Sequence, residues 1–217
     1  MLLPVQVTGL IAVALGLACA LLVAYLRVPG KLLGKMVAST GFVAVGIGSG
    51  CLESTYGRIV LVALGLCWIG DYLLTLTGEV PFLIGLVAFL LAHLALFGAF
   101  WVHGLNAAWC AGAAVAAVLV AAVVLRWLYS KLPDKMRIAV LAYMAVISVM
   151  VILALGVRGA GGPLWIPVGA VTFYVSDLFV ARQSFVSPGY SNDILGLPLY
   201  YGAVTMLALS VASQLPA

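Results

Sequence analysis

Residues 57–76 read GRIVLVALGLCWIGDYLLTL: twenty residues in which the only charges are Arg58 at one end and Asp71 well inside the other. At roughly 1.5 Å per residue such a helix spans about 30 Å, the thickness of a bilayer's hydrocarbon core. A second stretch, residues 162–184, reads GPLWIPVGAVTFYVSDLFVARQS and places Asp177 in the same way. The whole chain follows suit. Of its 217 residues 66% are apolar and 7% charged, and the mean hydropathy is +1.29, far from the balance of a soluble domain. The expected fold is all-α, a polytopic transmembrane bundle of about eight helices forming a single transmembrane domain over residues 1–217.

Turn signals divide the chain. Pro29-Gly30, Gly78-Glu79-Val80-Pro81, His103-Gly104, Lys131-Leu132-Pro133-Asp134, Gly159 to Pro163 and Ser187-Pro188-Gly189 punctuate helices expected at 4–26, 31–50, 57–76, 81–102, 106–128, 135–157, 162–184 and 193–213. The first of these carries Ala18-Cys19-Ala20, which resembles a signal-peptidase site. Its apolar run is too long for a signal peptide and has no basic region before it, so it reads as a retained helix.

Short loops make the distribution of Lys and Arg a topology signal. Arg27, Lys31, Lys35, Arg126, Lys131, Lys135, Arg137 and Arg182 share one face, and Arg58 and Arg158 the other. The richer face is expected in the cytoplasm, with N-terminus and C-terminus outside. That explains the +4 net charge without a nucleic-acid partner. Cys19, Cys51, Cys67 and Cys110 lack C-x-x-C spacing and read as small hydrophobes.

The same topology fixes depth. Asp71 and Asp177 each fall about 10 Å inside the basic face, and His93 about 18 Å inside it, near mid-membrane. Lys35, Tyr200 and Tyr201 also fall in the inner half. A buried carboxylate costs several kcal/mol, so it faces a partner, water or a function. Simple pairing, Asp71 with Lys35 for example, is the structural reading; two carboxyls at one depth favour acid-base chemistry. Burial and a like charge favour the protonated form of a carboxyl, which lets one member of such a pair keep its proton while the other stays ionised.

Glu79 and Asp134 read as acidic groups that begin their helices, and Asp193, after Ser191-Asn192, reads as the N-terminal cap of the last helix. The Gly46-x-x-x-Gly50 spacing and the alanine-rich run from Ala107 to Ala122 read as close helix packing. Pro167 and Pro198 are the prolines expected inside helices. No G-x-S-x-G, H-E-x-x-H, phosphate-binding loop or second intramembrane His is present, which disfavours a serine-hydrolase triad and a His-rich di-metal desaturase site. No metal and no cofactor are expected, because the two Asp and one His match no ligand spacing.

Gly70-Asp71-Tyr72-Leu73-Leu74, the run Phe82 to His93, Gly169 to Asp177 with Ala181, and Leu199-Tyr200-Tyr201 together resemble the motifs of the YhhN family, whose animal members include lysoplasmalogenases. Met36, Leu96-Phe97 and Val204 depart from that pattern. The resemblance implies hydrolysis of the vinyl ether of a lysoplasmalogen to a fatty aldehyde and glycerophospho-ethanolamine or -choline. It implies Asp71, Asp177 and His93 as catalytic residues, and Lys35, Tyr174, Ser176, Tyr200, Tyr201 and Arg182 as substrate-binding residues. The implied partner is a lysophospholipid within the bilayer, with the site towards the cytoplasmic leaflet of a bacterial inner membrane. A proton-coupled transporter of lipid or solute, a hydrolase of another lysolipid and a structural membrane protein are the competing readings.

Overall fold

A computed structural model describes residues 3–28 and 30–214. Pro29, one of the turn signals, lies outside them. Eight helices follow one another: α1 (Pro4–Leu26), α2 (Lys31–Gly48), α3 (Thr55–Leu73), α4 (Glu79–His103), α5 (Ala107–Leu128), α6 (Asp134–Gly159), α7 (Trp165–Ala181) and α8 (Tyr190–Ser210). Seven are long and apolar enough to cross a membrane. The other, α7, has 17 residues and runs on through a π-helical turn, Arg182–Val186. The chain is an integral membrane helical bundle.

Local chemistry sets the ends. Pro4 opens α1, where its fixed φ and missing N–H carry no penalty. Ser54 Oγ accepts from Gly57 N at 2.9 Å to cap α3, and Asn106 Oδ1 accepts from Trp109 N at 3.2 Å to cap α5. Gly78 and Gly104, at φ +117° and +104°, bound α4 with backbone that a side chain would strain. Asp193 does not cap α8: the helix starts earlier, after Gly189, which leaves Asp193 in the first turn and free to pair with Lys31. Pro167 likewise sits in the first turn of α7, so only Pro198 interrupts a helix interior.

Lipid supplies no hydrophobic drive between helices, so close approach of backbones holds them. The tightest seam joins α1 to α2. An added Cβ on Gly9 would stand 2.7 Å from Gly41 O, and one on Gly34 would stand 2.6 Å from Ala20 N. Gly9, Gly16, Gly34 and Gly41 form this seam at seven-residue spacing in each helix. Of the expected Gly46-Gly50 pair, Gly46 packs closely on α3, where an added Cβ would stand 2.5 Å from Leu64 Cδ1. Gly50 does not lie in a helix but beyond α2 in a turn, at φ +84°. In the alanine-rich α5 it is Trp109 and Cys110 that pack closely on α6, against Gly159 and Gly156, rather than the alanines. It rests mainly on α6, buries only Ala113, Val124 and Leu128, and leaves Val115, Val118, Leu119 and Val123 exposed. A small side chain permits a tight interface, but a neighbour must come to it.

Gly41→Ala should therefore part α1 from α2 and destabilise by about 1–3 kcal/mol. Gly65→Ala, on α3 with nothing within 4 Å of the new Cβ, should be neutral or stabilising by up to about 1 kcal/mol. Unfolding in detergent checks the pair, and equal effects would refute the seam.

The helices α2, α3, α4, α6, α7 and α8 close around a core of Phe42, Phe100, Phe173, Tyr201 and Ile166, all fully buried. No cysteine is disulfide-linked among the described residues. Burial pushes the Cys51 thiol, in the turn after α2, up to about 12, so it behaves as a small hydrophobe.

A cavity with two separately wired carboxyls

A cavity of about 210 Å³ opens between these six helices and is lined by both Asp71 and Asp177. Its apolar wall includes Leu74, Phe82, Leu86, Phe89, Val140, Phe179, Phe185 and Leu197. Lys31, Gln183, Ser184, Asn192 and Asp193 add polar groups, contributed by the first turns of α2 and α8 and by the π turn.

Asp71 is 2% exposed and surrounded by donors. Lys35 Nζ lies 3.0 Å from Oδ1. Oδ2 accepts from Tyr200 OH at 2.8 Å and from Ser39 Oγ at 2.6 Å. Lys35 Nζ also reaches the Asp71 carbonyl at 3.3 Å, and Tyr201 OH donates to the Lys35 carbonyl at 3.2 Å. Ser39 lies one turn after Lys35 on α2, so one helix face delivers both donors. Lys35, Tyr200 and Ser39 thus converge on this carboxyl, the single Ser39 proton being shared with the Lys35 carbonyl at 2.8 Å.

Asp177 is wired differently. Its side chain is 17% exposed. Oδ2 takes a 2.6 Å bond from Tyr143 OH and lies 3.1 Å from His93 Nε2. Tyr143 OH is also 3.0 Å from that nitrogen. Oδ1 has no hydrogen-bond partner among the described residues. The His93 ring is fully buried, its Nδ1 has no partner among them, and Phe173 packs edge-on against it at 4.6 Å. Phe173 also meets Tyr200 at 5.4 Å, so an aromatic wall joins the two carboxyl networks.

The expected depths, with His93 well below Asp177, are corrected by this contact. The π turn carries α7 on to Val186, which sinks Asp177 further from the helix end. Side chains also lean towards their own helix N-terminus. In antiparallel α4 and α7 that lean brings the His93 ring and the Asp177 carboxyl towards each other.

Of the expected binding residues, Lys35, Ser176 and Tyr200 line the cavity, whereas Tyr174, Tyr201 and Arg182 are not among its lining residues. Ser176 Oγ donates to Phe173 O at 2.7 Å. Tyr174 OH is buried without a hydrogen-bond partner among the described residues. Arg182 is occupied by Asn192 Oδ1 and, at 3.2 Å, by Ser191 Oγ. Ser39 and Tyr143 were not expected. The Lys35-x-x-x-Ser39 spacing and the position of Tyr143, about 14 Å along α6 from its start and so near the level of Asp177, were the signals available. Among the described residues, no group of three or more His, Cys, Asp or Glu side chains is arranged to hold a metal ion.

Two curated relatives match the chain. Proteins named lysoplasmalogenase from Mycobacterium bovis and Mycobacterium tuberculosis are each 36% identical to it over 149 residues, covering 66% of this chain and 55% of the relative. The chain thus spans little more than half the length of these relatives. No solved structure matches it significantly. The family model described as YhhN family matches residues 35–211, which takes in Lys35, Asp71, His93, Tyr143, Asp177 and Tyr200. The chain belongs to the YhhN family.

Proposed function

We propose that this protein is a membrane lysoplasmalogenase, hydrolysing the vinyl ether of a lysoplasmalogen, with Asp177 as proton donor. The observation that carries this reading is the unequal wiring of two carboxyls on one cavity. Hydrolysis of a vinyl ether starts with proton transfer to the β-carbon, giving an oxocarbenium ion. Water adds to that cation, and the hemiacetal collapses to the aldehyde and the free glycerol hydroxyl.

Asp177 suits the donor role. The residue lines the cavity and its Oδ1 has no hydrogen-bond partner among the described residues, while Oδ2 accepts from Tyr143, and from His93 when that ring carries its proton on Nε2. The same two donors stabilise the carboxylate left after transfer. Water attacking the cation then returns a proton to Asp177, and the group is restored for the hemiacetal step. Asp71, paired with Lys35 and in hydrogen-bond contact with Ser39 and Tyr200, is the second carboxyl on the cavity and would add negative potential beside the oxocarbenium. Lys35 offsets part of that charge, so the contribution is smaller than that of a lone carboxylate. Tyr200, Lys35 and Asp71 itself all line the cavity.

A serine-esterase reading finds no support. Ser39 is fully buried on Asp71, Ser176 is bonded to its own helix, and neither is hydrogen-bonded to His93. The asymmetry of basic residues supports an orientation with both termini outside and the cavity towards the cytoplasmic leaflet.

The test is aldehyde release from a lysoplasmalogen by purified protein in detergent or liposomes. Release is expected, and its absence would refute the reading. Tyr143→Phe, which removes one of two donors to Asp177 and little volume, should lower kcat by about tenfold to a hundredfold, with KM nearly unchanged. A rise in KM alone would move Tyr143 from the chemistry to binding.

A further inference from the structure

The Lys31–Asp193 pair is not used by this mechanism, yet it lines the same cavity. Lys31 Nζ lies 2.5 Å from Asp193 Oδ1, and the two side chains keep 33% and 20% of their exposure. They come from the first turns of α2 and α8, 162 residues apart in sequence. Beside them Asn192, Gln183 and Ser184 line the cavity as neutral polar groups. Of the other cations, Lys35 is paired with Asp71 and Arg182 is turned into hydrogen bonds with Ser191 and Asn192.

We infer that Lys31 and Asp193 form a head-group subsite that selects zwitterionic over anionic lysolipids, an inference that rests on the lysolipid reading of the cavity. Binding exchanges one ion pair for two. The phosphate takes the place of Asp193 on Lys31, and the ammonium of the head group takes the place of Lys31 on Asp193. Charge is conserved, and neither protein group is left alone. A head group without a cation can pair with Lys31 but leaves Asp193 unpaired beside an anion, which disfavours it.

The spacing fits the substrate. Lys35, the ion partner of Asp71, lies about 6 Å along α2 from Lys31, and Tyr200, which donates to Asp71, about 10 Å along α8 from Asp193. Phosphorus and the vinyl β-carbon of a lysoplasmalogen are seven bonds apart, about 8 Å at the roughly 1.2 Å advance per bond of an extended chain. A phosphate on Lys31 therefore brings the vinyl ether to the level of the two carboxyls, with the alkyl chain against Phe89, Leu86 and Leu197.

The experiment compares alkenyl lysolipids of one chain length carrying ethanolamine, choline or glycerol on the phosphate. Wild type should show a kcat/KM at least tenfold higher for the two zwitterions than for the glycerol head group. Asp193→Asn should lose most of that ratio through a raised KM for the zwitterions, and Lys31→Gln should raise KM for all three. The swap Lys31→Asp with Asp193→Lys restores an ion pair between α2 and α8, and should restore thermal stability but not the head-group ratio. An unchanged ratio in Asp193→Asn, a swap with the wild-type ratio, or a wild type indifferent to head group would each overturn the subsite. Binding of the corresponding 1-O-alkyl lysolipids, which have no vinyl bond, keeps the two claims apart. If no aldehyde forms from any substrate, the activity reading fails, while the head-group order in binding still supports or refutes the subsite.

Discussion

Asp177→Asn is expected to cut aldehyde release from a lysoplasmalogen by about a thousandfold, within the 10²–10⁴ range for removal of a positioned acid, while the protein stays folded. Asparagine keeps the shape of the side chain, and its carbonyl oxygen can still accept from Tyr143 and His93. Its amide, in the place of Oδ1, cannot give a proton to carbon. The loss should fall on kcat and kcat/KM alike, because the missing interaction belongs to the transition state. Single-turnover release in detergent measures it, with unfolding of the variant recorded alongside. Activity within tenfold of wild type would remove Asp177 from the proton path.

Lys35→Met is expected to act on the fold first. Lys35 and Asp71 are 8% and 2% exposed, so removing the cation leaves a carboxylate in a site that water hardly reaches. Breaking a buried pair from one side costs about 3–5 kcal/mol. Replacing both partners by apolar residues, Lys35→Met with Asp71→Leu, should recover most of that loss, because no lone charge remains, yet should leave activity low. The exposed pair Lys135–Glu79, with side chains 66% and 53% exposed, provides the contrast. Lys135→Ala should cost no more than about 1 kcal/mol. Unfolding in detergent ranks the three, and a Lys35→Met variant as stable as Lys135→Ala would refute the buried pairing.

The eight helices were legible because apolar length and turn residues act locally, and lipid as solvent makes that pattern nearly sufficient. That Asp71 and Asp177 lie in the same half of the bundle followed from the same counting, and both line one cavity. Their distances from the helix ends did not, because α3 stops at Leu73 and α7 runs on to Val186. What escaped depended on neighbours. Alanine repeats in α5 carry the same small-residue signal as the glycines of α1 and α2, and only the packing shows which face meets another helix. Asp193 was misread because it stands where a capping residue would, while its partner is 162 residues away. Tyr143 is one of nine tyrosines, and nothing local to α6 marks the one that turns towards Asp177. Arg182 sits at the expected place in the chain, but Asn192 and Ser191 claim its guanidinium.

The central claim is that a carboxyl on this cavity protonates the β-carbon of a vinyl ether, and the most direct test is hydrolysis in deuterated water with immediate trapping of the aldehyde. The account predicts one deuterium on the carbon next to the carbonyl in the wild-type product, and product from Asp177→Asn only at a rate lower by orders of magnitude. Aldehyde carrying no deuterium at that carbon, or formed by Asp177→Asn as fast as by wild type, would contradict it.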